Sequence, residues 1–134
     1  MLVGEYCNRD VVIVEKGCSV REAAGLMRTQ HVGDLIVIEE RAGKRIPVGI
    51  ITDRDIVLEV IAKDVDLDVV AVGDVMSFEL TKASEEDEVL EAVKLMRAKG
   101  VRRVPVVGRQ GALVGILAVD DLIELLQELV ADIG

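Results

Sequence analysis

An internal repeat constrains the fold of this sequence more than any single motif does. When Val3–Ile38 is aligned with Val72–Val107, at an offset of 69 positions, ten residues are identical without a gap. Farther along the chain the offset becomes 66 because one turn is shorter, and Pro47–Ile51 aligns with Leu113–Leu117. A chance match of this length is improbable, so the chain is interpreted as two copies of one unit.

Both copies predict the same order of elements, β-α-β-β-α, within residues 1–66 and residues 67–134. Short apolar runs predict the strands, and apolar residues at helical spacing predict the helices. In the first copy the predicted elements are strand Val11–Val14, helix Ser19–Gln30 with Ser19 as N-cap, strands Leu35–Ile38 and Pro47–Ile51, and helix Asp53–Ala62. In the second copy they are strand Glu79–Lys82, helix Glu86–Lys99 ending before Gly100, strands Arg103–Val107 and Leu113–Leu117, and helix Val119–Val130.

One copy alone is too small to bury its own sheet. The central strands are apolar on both faces, which predicts that both faces are covered. The expected fold class is therefore α/β of the α+β kind, with two small sheets packed together about a pseudo-twofold axis and helices outside. Such an arrangement creates two equivalent clefts between the repeats, and ligands favour interfaces of this kind.

Charge and composition exclude several classes of function. The formal net charge is −9 and only 1% of the residues are aromatic, so neither a basic face nor a stacking platform for nucleic acid is expected. No apolar run has the length of a membrane span, and the N-terminus lacks the pattern of a signal peptide, which together predict a cytoplasmic protein without membrane contact. Cys7, Cys18 and His31 do not have the spacing of a zinc site, and both thiols are expected to be reduced. Because no Ser-His-Asp set and no P-loop is present, an enzyme is not expected.

The two junctions between a strand and the following helix carry the strongest chemical signal. In the first junction Thr52 precedes the helix and Asp55 follows three residues later, whereas Ala118 and Asp121 hold those places in the second. The first junction fits two interpretations. It is either a capping box, in which Thr52 and Asp55 each bond the other's backbone, or a site where a carboxylate accepts two hydrogen bonds from a ribose diol. Because the second copy keeps the acid without the hydroxyl, the ligand interpretation gains weight.

With these features the sequence resembles the cystathionine-β-synthase (CBS) domain pair over essentially its whole length. The resemblance rests on Val72–Met76, on Val101–Val107, on the duplicated order of helix and strand, and on the two junctions. It implies a regulatory module that binds AMP, ADP, ATP or S-adenosylmethionine in the clefts of the paired sheets, with no required cofactor and no metal. It also implies a homodimer, and an effector protein that receives the signal. The alternative from a different class is a ligand-free dimerisation scaffold.

The resemblance also assigns site residues position by position. Asp55 and Asp121 match the ribose-binding acid of the family. Thr52 matches the hydroxyl residue that meets phosphate or ribose, and the second copy departs from the pattern there. Arg102 and Arg103 stand where basic residues of the family often face phosphates. The remaining residues expected at the ligand are Arg54, Val12, Ile13, His31, Val32 and Gly33 for the first cleft, and Thr81 and Val101 for the second.

Two further expectations concern association and charge. Apolar residues nearly encircle the last helix, which predicts that a homodimer buries it; they are Leu122, Ile123, Leu125, Leu126, Leu129 and Val130. The first cleft, with Thr52 and Arg54, is expected to favour a phosphate. In the second cleft Asp120 is expected to repel a phosphate unless Arg102 and Arg103 reach it.

Overall fold

The computed structural model of the chain describes residues 1–78 and 80–133, and it contains two three-stranded β-sheets flanked by helices. The strands are β1 (Ile13–Glu15), β2 (Asp34–Arg41), β3 (Lys44–Thr52), β4 (Ala83–Ser84), β5 (Arg103–Val107) and β6 (Leu113–Ala118). The helices are α1 (Val3–Tyr6), α2 (Val20–Gln30), α3 (Asp53–Ile56), α4 (Val72–Val75), α5 (Val89–Lys99) and α6 (Val119–Ile133). A π-helical turn, Val57–Ile61, continues α3, and a 3₁₀ turn, Arg109–Gly111, lies between β5 and β6. The α+β class expected from the sequence is confirmed.

The two sheets have the same topology. In each sheet a short first strand pairs in parallel with the second strand, and the second and third strands form an antiparallel hairpin. Both hairpins carry a register irregularity at the equivalent place, between Val37 and Ile38 in one and between Val106 and Val107 in the other. The sequence repeat is therefore matched by a structural repeat.

The chain divides into two compact units, and each unit contains a segment from both repeats. One unit is Val11–Leu80, and the other joins Met1–Asp10 to Thr81–Gly134. The first ten residues thus pack with the second sheet, and the segment that contains α4 packs with the first sheet. The repeat limits 1–66 and 67–134 stay a prediction, because they describe sequence similarity, whereas the units describe packing.

Backbone pairing accounts for this exchange of segments. Asn8 and Ile116 of β6 exchange two backbone hydrogen bonds of 2.9 and 2.8 Å, and Ser77 pairs in the same manner with Ile50 of β3. Gly115 lies beside the first of these pairs, where a Cβ atom would stand 2.6 Å from the Asn8 carbonyl oxygen. Glycine at this strand position therefore admits the chain's own backbone.

The helices agree with the sequence prediction in their main part. Ser19 caps α2 as expected, because its Oγ accepts a hydrogen bond from the Glu22 N–H at 3.1 Å. Gly100 ends α5 in the left-handed region, with a φ of 67°. α5 begins three residues later than expected. The reason is a turn in which the Asp87 carboxylate accepts a hydrogen bond from the Ser84 N–H at 2.9 Å.

The first strand of the second copy was predicted in the wrong place. The expectation was Glu79–Lys82, but the strand pairing is made by β4, and Glu79 lies outside the described residues. β4 pairs with β5 through Ala83 and Ser84 alone. A strand this short begins where its partner offers backbone groups, so an apolar run in the sequence does not determine its position. β1 likewise begins two residues later than predicted.

Each unit has its own apolar core, and the first half of β2 is buried on both faces. Leu35 and Val37 belong to the core of the first unit, and Ile36 and Ile38 on the other face are also buried. The expectation that this central strand is covered on both sides is confirmed. The hairpin it forms with β3 is consequently a fixed support for the junction at Thr52.

Candidate functional site

The candidate site consists of two equivalent strand-to-helix junctions, one in each unit. The first junction is Gly33 with Thr52–Asp55, where β3 ends and α3 begins; the second junction is Arg102 with Ala118–Asp121, where β6 ends and α6 begins. In the first junction the first residue of α3 donates its N–H to the Gly33 carbonyl at 2.9 Å. In the second junction the first residue of α6 donates its N–H to the Arg102 carbonyl at 2.9 Å. The same backbone bond therefore holds both loops against the helix starts.

At the first junction Thr52 and Asp55 form the capping box that one of the two interpretations predicted, and it uses one of the two carboxylate oxygens. Thr52 Oγ1 accepts from the Asp55 N–H at 3.1 Å, and Asp55 Oδ2 accepts from the Thr52 N–H at 3.0 Å. This reciprocal pair is a capping box. Asp55 is half-buried, and within the described ranges its other carboxylate oxygen accepts no hydrogen bond from the protein. The capping role uses one oxygen of Asp55 and leaves the other for a ligand.

At the second junction the capping interpretation does not explain the acid. Ala118 has no hydroxyl group, and among the described residues the Asp121 carboxylate makes no hydrogen bond, although the residue is half-buried. The Asp121 main-chain carbonyl instead accepts a hydrogen bond from the Tyr6 hydroxyl. The start of α6 is therefore tied to α1 through its backbone, and both carboxylate oxygens of Asp121 are available.

Sequence reasoning did not identify Tyr6 as a residue of this region. Tyr6 lies 115 positions from Asp121 and aligns with Val75 in the other repeat, so neither spacing nor the repeat indicates the contact. Burial raises the pKa of the Tyr6 phenol, and the carboxylates of Asp121, Glu124 and Glu128 raise it further. Tyr6 consequently keeps its proton, and the hydroxyl remains a donor, at neutral pH.

The two junctions differ in their cations. Arg54 is exposed at the first junction, and its guanidinium forms no ion pair within the part of the chain that the structure describes. Arg102 at the second junction forms an exposed ion pair with Asp120, with 2.9 Å between Nη2 and Oδ1. Arg103 begins β5 and pairs in register with Ala118. The predicted phosphate-facing arginines thus belong to the second junction.

The other residues predicted at the ligand lie just before or within β1 and on the segments that lead into β2, β4 and β5. Three of them, Val12, Val32 and Val101, pack against the core of their own unit. His31 is exposed and ends α2 with a left-handed φ of 54°. A ligand role for these residues stays a prediction; they are Val12, Ile13, His31, Val32, Thr81 and Val101.

Metal ligation and thiol chemistry find little support in the described ranges. No group of three or more His, Cys, Asp and Glu side chains there is placed to hold a metal ion. Cys7 and Cys18 are free thiols, and burial raises the pKa of both. As for membranes, none of the helices in residues 1–78 and 80–133 combines the length and apolar character needed to cross a bilayer.

Known proteins share this sequence pattern and fold. The CBS domain family model matches the chain twice, over residues 3–62 and 72–128. An uncharacterized protein of Methanopyrus kandleri is 39% identical over 131 residues, which are 98% of this chain and 65% of that protein. The CBS domain-containing protein YhcV of Bacillus subtilis is 38% identical over 120 residues, which are 90% of this chain and 81% of that protein.

A solved structure shows the same fold. It is the CBS domain pair of protein MJ0100, in complex with 5′-methylthioadenosine and S-adenosyl-L-methionine. The TM-score is 0.79, the sequence identity is 23%, and the alignment covers 96% of this chain and 97% of that one. At this identity the likeness establishes the architecture of the repeats, and the chemistry of the junctions has to be argued from the residues of this chain.

Proposed function

The chain belongs to the CBS domain family, and from that membership we propose that it is a regulatory module that binds an adenosyl ligand at its two strand-to-helix junctions. The candidate ligands are AMP, ADP, ATP and S-adenosylmethionine. An adenosyl ligand offers a ribose diol, an adenine ring and, in the nucleotides, phosphate groups. The junctions of this chain present carboxylates that suit the diol and guanidinium groups that suit the phosphates.

The observation that carries this proposal is the unengaged carboxylate of Asp121. An acid that served only the fold at this place is expected to cap the helix, as Asp55 does at the first junction, or to pair with a cation. In the described part of the chain Asp121 does neither. A diol supplies the two missing donors, because a carboxylate accepts one hydrogen bond on each oxygen from the two neighbouring hydroxyl groups.

Asp55 supports the same function with one difference. Its Oδ2 is used by the capping box, so a diol at the first junction shares that oxygen with the Thr52 N–H or bonds to the free oxygen alone. The Thr52 hydroxyl accepts from the Asp55 N–H and still has its own proton to donate. The first junction therefore offers fewer vacant acceptors than the second.

Calorimetry with AMP, adenosine and S-adenosylmethionine on Asp121→Asn and Asp55→Asn tests the proposal. Asparagine keeps the size of the side chain and an acceptor oxygen but loses the charge and one acceptor. Because hydrogen bonds to charged groups contribute about 1.5–3 kcal/mol, each substitution is expected to weaken binding at its own junction about tenfold to a hundredfold. The larger loss is expected for Asp121→Asn, because in the described ranges this carboxylate makes no hydrogen bond to the protein.

Asp74→Asn is the matched control. Asp74 Oδ2 accepts from the Ala71 N–H at 3.1 Å, which is the bond that Asp55 makes in its own capping box, at a helix outside both junctions. Its loss reproduces the capping effect without touching the proposed ligand. Equal affinities in Asp121→Asn and the parent would contradict the proposal, and a thermal midpoint that no adenosyl compound raises would favour the ligand-free scaffold.

The homodimer is a second part of the proposal, supported by exposed apolar side chains on α6. The residues repeat at intervals of three or four, which places them along one side of the helix, and each is between 49% and 87% exposed. They are Ile123, Leu126, Leu129, Val130 and Ile133. Exposed apolar residues also follow α3 in the other unit, at Val57, Leu58 and Ile61. The row of exposed apolar side chains along α6 is typical of a protein interface.

Sedimentation at micromolar concentration tests this part separately. Leu126→Glu places a charge in the centre of the α6 stripe and is expected to give a monomer. Leu90→Glu is the control, because Leu90 is an equally exposed leucine on α5. A parent protein that already sediments as a monomer would contradict the homodimer and leave the ligand proposal standing.

A further inference from the structure

The two junctions carry their arginine in different places, on the helix at the first junction and on the loop before the second strand at the second. At the first junction the loop residue is Gly33, and the cation is Arg54 on the helix. At the second junction the cation is Arg102 on the loop, and the helix residue equivalent to Arg54 is Asp120. The guanidinium and the carboxylate of the second junction meet at 2.9 Å, whereas the Arg54 guanidinium forms no ion pair among the described residues.

The charged residues on the neighbouring strands also differ between the two junctions. In the strand register Asp34 lies opposite Thr52, and Arg103 lies opposite Ala118. The first junction also contains Asp53, whose place is taken by an uncharged valine in the second. With its neighbour on β2, the first junction therefore has three carboxylates and one guanidinium, while the second with its neighbour on β5 has two of each.

We propose that the second junction is the one that accepts a phosphorylated adenosyl ligand, and that Asp120 is a counter-ion that occupies Arg102 until a phosphate replaces it. This inference rests on the proposed function and names the ligand class of one of its two junctions. It reverses the preference expected from the sequence, which depended on Arg102 lying away from Asp120. The ion pair shows that Arg102 lies at the second junction.

Exchange of partners is chemically reasonable at this position. Asp120 and Arg102 are both largely exposed, and exposed ion pairs contribute little to stability, so the pair separates readily. Arginine binds phosphate through two parallel hydrogen bonds, which makes phosphate a stronger partner than a carboxylate held by one contact. Asp120 and Asp121 both lie in the first turn of α6, so the proposal assigns the ribose and its phosphate to the same helix start.

Asp120 then acts as a specificity-determining residue, because it opposes phosphate without touching the nucleoside. Like charges about 4 Å apart repel by about 1 kcal/mol even in water, which corresponds to roughly fivefold in affinity. The measurable quantity is the ratio of the AMP affinity to the adenosine affinity. We expect this ratio to rise roughly fivefold or more in Asp120→Asn.

The experiment is calorimetry with AMP and with adenosine on the parent, on Asp120→Asn and on Asp132→Asn, a control with the same net charge as Asp120→Asn. Asp132→Asn removes one negative charge from the far end of α6, so the ratio is expected to keep its parent value there. Arg102→Gln is expected to lower the ratio, and to lower it far more than Arg54→Gln does. Higher salt should weaken AMP binding far more than adenosine binding, since only AMP has a phosphate to screen.

The outcomes separate the inference from the function on which it rests. If adenosine binds but Asp120→Asn leaves the ratio unchanged, the inference is wrong and the proposed function stands. If Arg54→Gln lowers the ratio and Arg102→Gln does not, the phosphate belongs to the first junction, and the inference is again wrong. If neither compound binds the parent, the proposed function fails and the inference fails with it.

Discussion

Gly115→Ala tests whether the first ten residues are an integral part of the second unit. A Cβ at this position would lie 2.6 Å from the Asn8 carbonyl oxygen and 2.9 Å from Cys7 Sγ. Ordinary contacts begin at 3.4 Å, so the Asn8 backbone has to retreat by about 0.8 Å. That movement stretches both hydrogen bonds between Asn8 and Ile116, now 2.8 and 2.9 Å, beyond the range of a normal hydrogen bond.

The expected loss of stability combines the weakened hydrogen bonds with the cost of the added methyl group, less a gain from the unfolded state. Each backbone hydrogen bond contributes about 1 kcal/mol net, and forcing a methyl group into a closed space costs a further 1–3 kcal/mol, roughly. The smaller conformational entropy of unfolded alanine offsets about 0.4–1 kcal/mol. The free energy of unfolding should therefore fall by about 2–4 kcal/mol, and the thermal midpoint by roughly 8–15 °C for a chain of this size.

Urea unfolding and thermal unfolding measure the effect, with Gly25→Ala as the control. Gly25 lies inside α2, and apart from its chain neighbours and the helix's own backbone no atom lies within 4 Å of the place its Cβ would take. That substitution is expected to stabilise the protein by about 0.5–1 kcal/mol through helix propensity. A Gly115→Ala protein as stable as the parent would refute the pairing of Asn8 with β6.

Two further predictions concern groups whose pKa is shifted. Burial raises the pKa of the thiols of Cys7 and Cys18, so little thiolate is present at pH 8, and iodoacetamide should alkylate the folded protein much more slowly than the protein unfolded in urea. The pKa of Tyr6 is raised above its ordinary value of 10.0, so its contribution to stability is present below pH 10 and is lost as the pH rises through the folded-state pKa. The alkaline loss of stability should therefore be smaller in Tyr6→Phe than in the parent.

The sequence predicts the repeat and the junctions well, because both follow from local patterns. Ser19 and Gly100 mark helix ends by their own chemistry, and the duplication locates both strand-to-helix junctions. The short first strands were misplaced, since two or three backbone pairs with a neighbouring strand fix them. The contact of Tyr6 with α6 was missed for the same reason: it depends on a chain segment packing with the other repeat's sheet.

Asp55 and Asp121 differ in whether their carboxylates cap the helix that follows. The sequence left two interpretations of Asp55 open, and the capping box of the structure shows that one of them holds. The absence of a hydroxyl at Ala118 then explains why the second junction has no capping box. Without a side-chain cap, Asp121 is released from the helix start, and Tyr6 ties the backbone there instead.

Restoring the cap at the second junction should therefore weaken ligand binding while it strengthens the fold. In Ala118→Ser the new Oγ is placed to accept from the Asp121 N–H, and the Asp121 carboxylate can turn to the residue 118 N–H, as Asp55 does at Thr52. The free energy of unfolding should rise by about 0.5–1 kcal/mol, which a urea titration measures.

In the same variant, calorimetry with adenosine should show an affinity several times lower, because one carboxylate oxygen has been taken from the diol. Ala118→Val is the control for bulk, since it enlarges this buried side chain without adding an acceptor. Weaker binding in both variants would point to crowding. Weaker binding in the serine variant alone, together with its higher stability, would show that capping and ligand binding compete for Asp121. A serine variant that gains stability and binds as tightly as the parent would mean that the diol does not use this carboxylate.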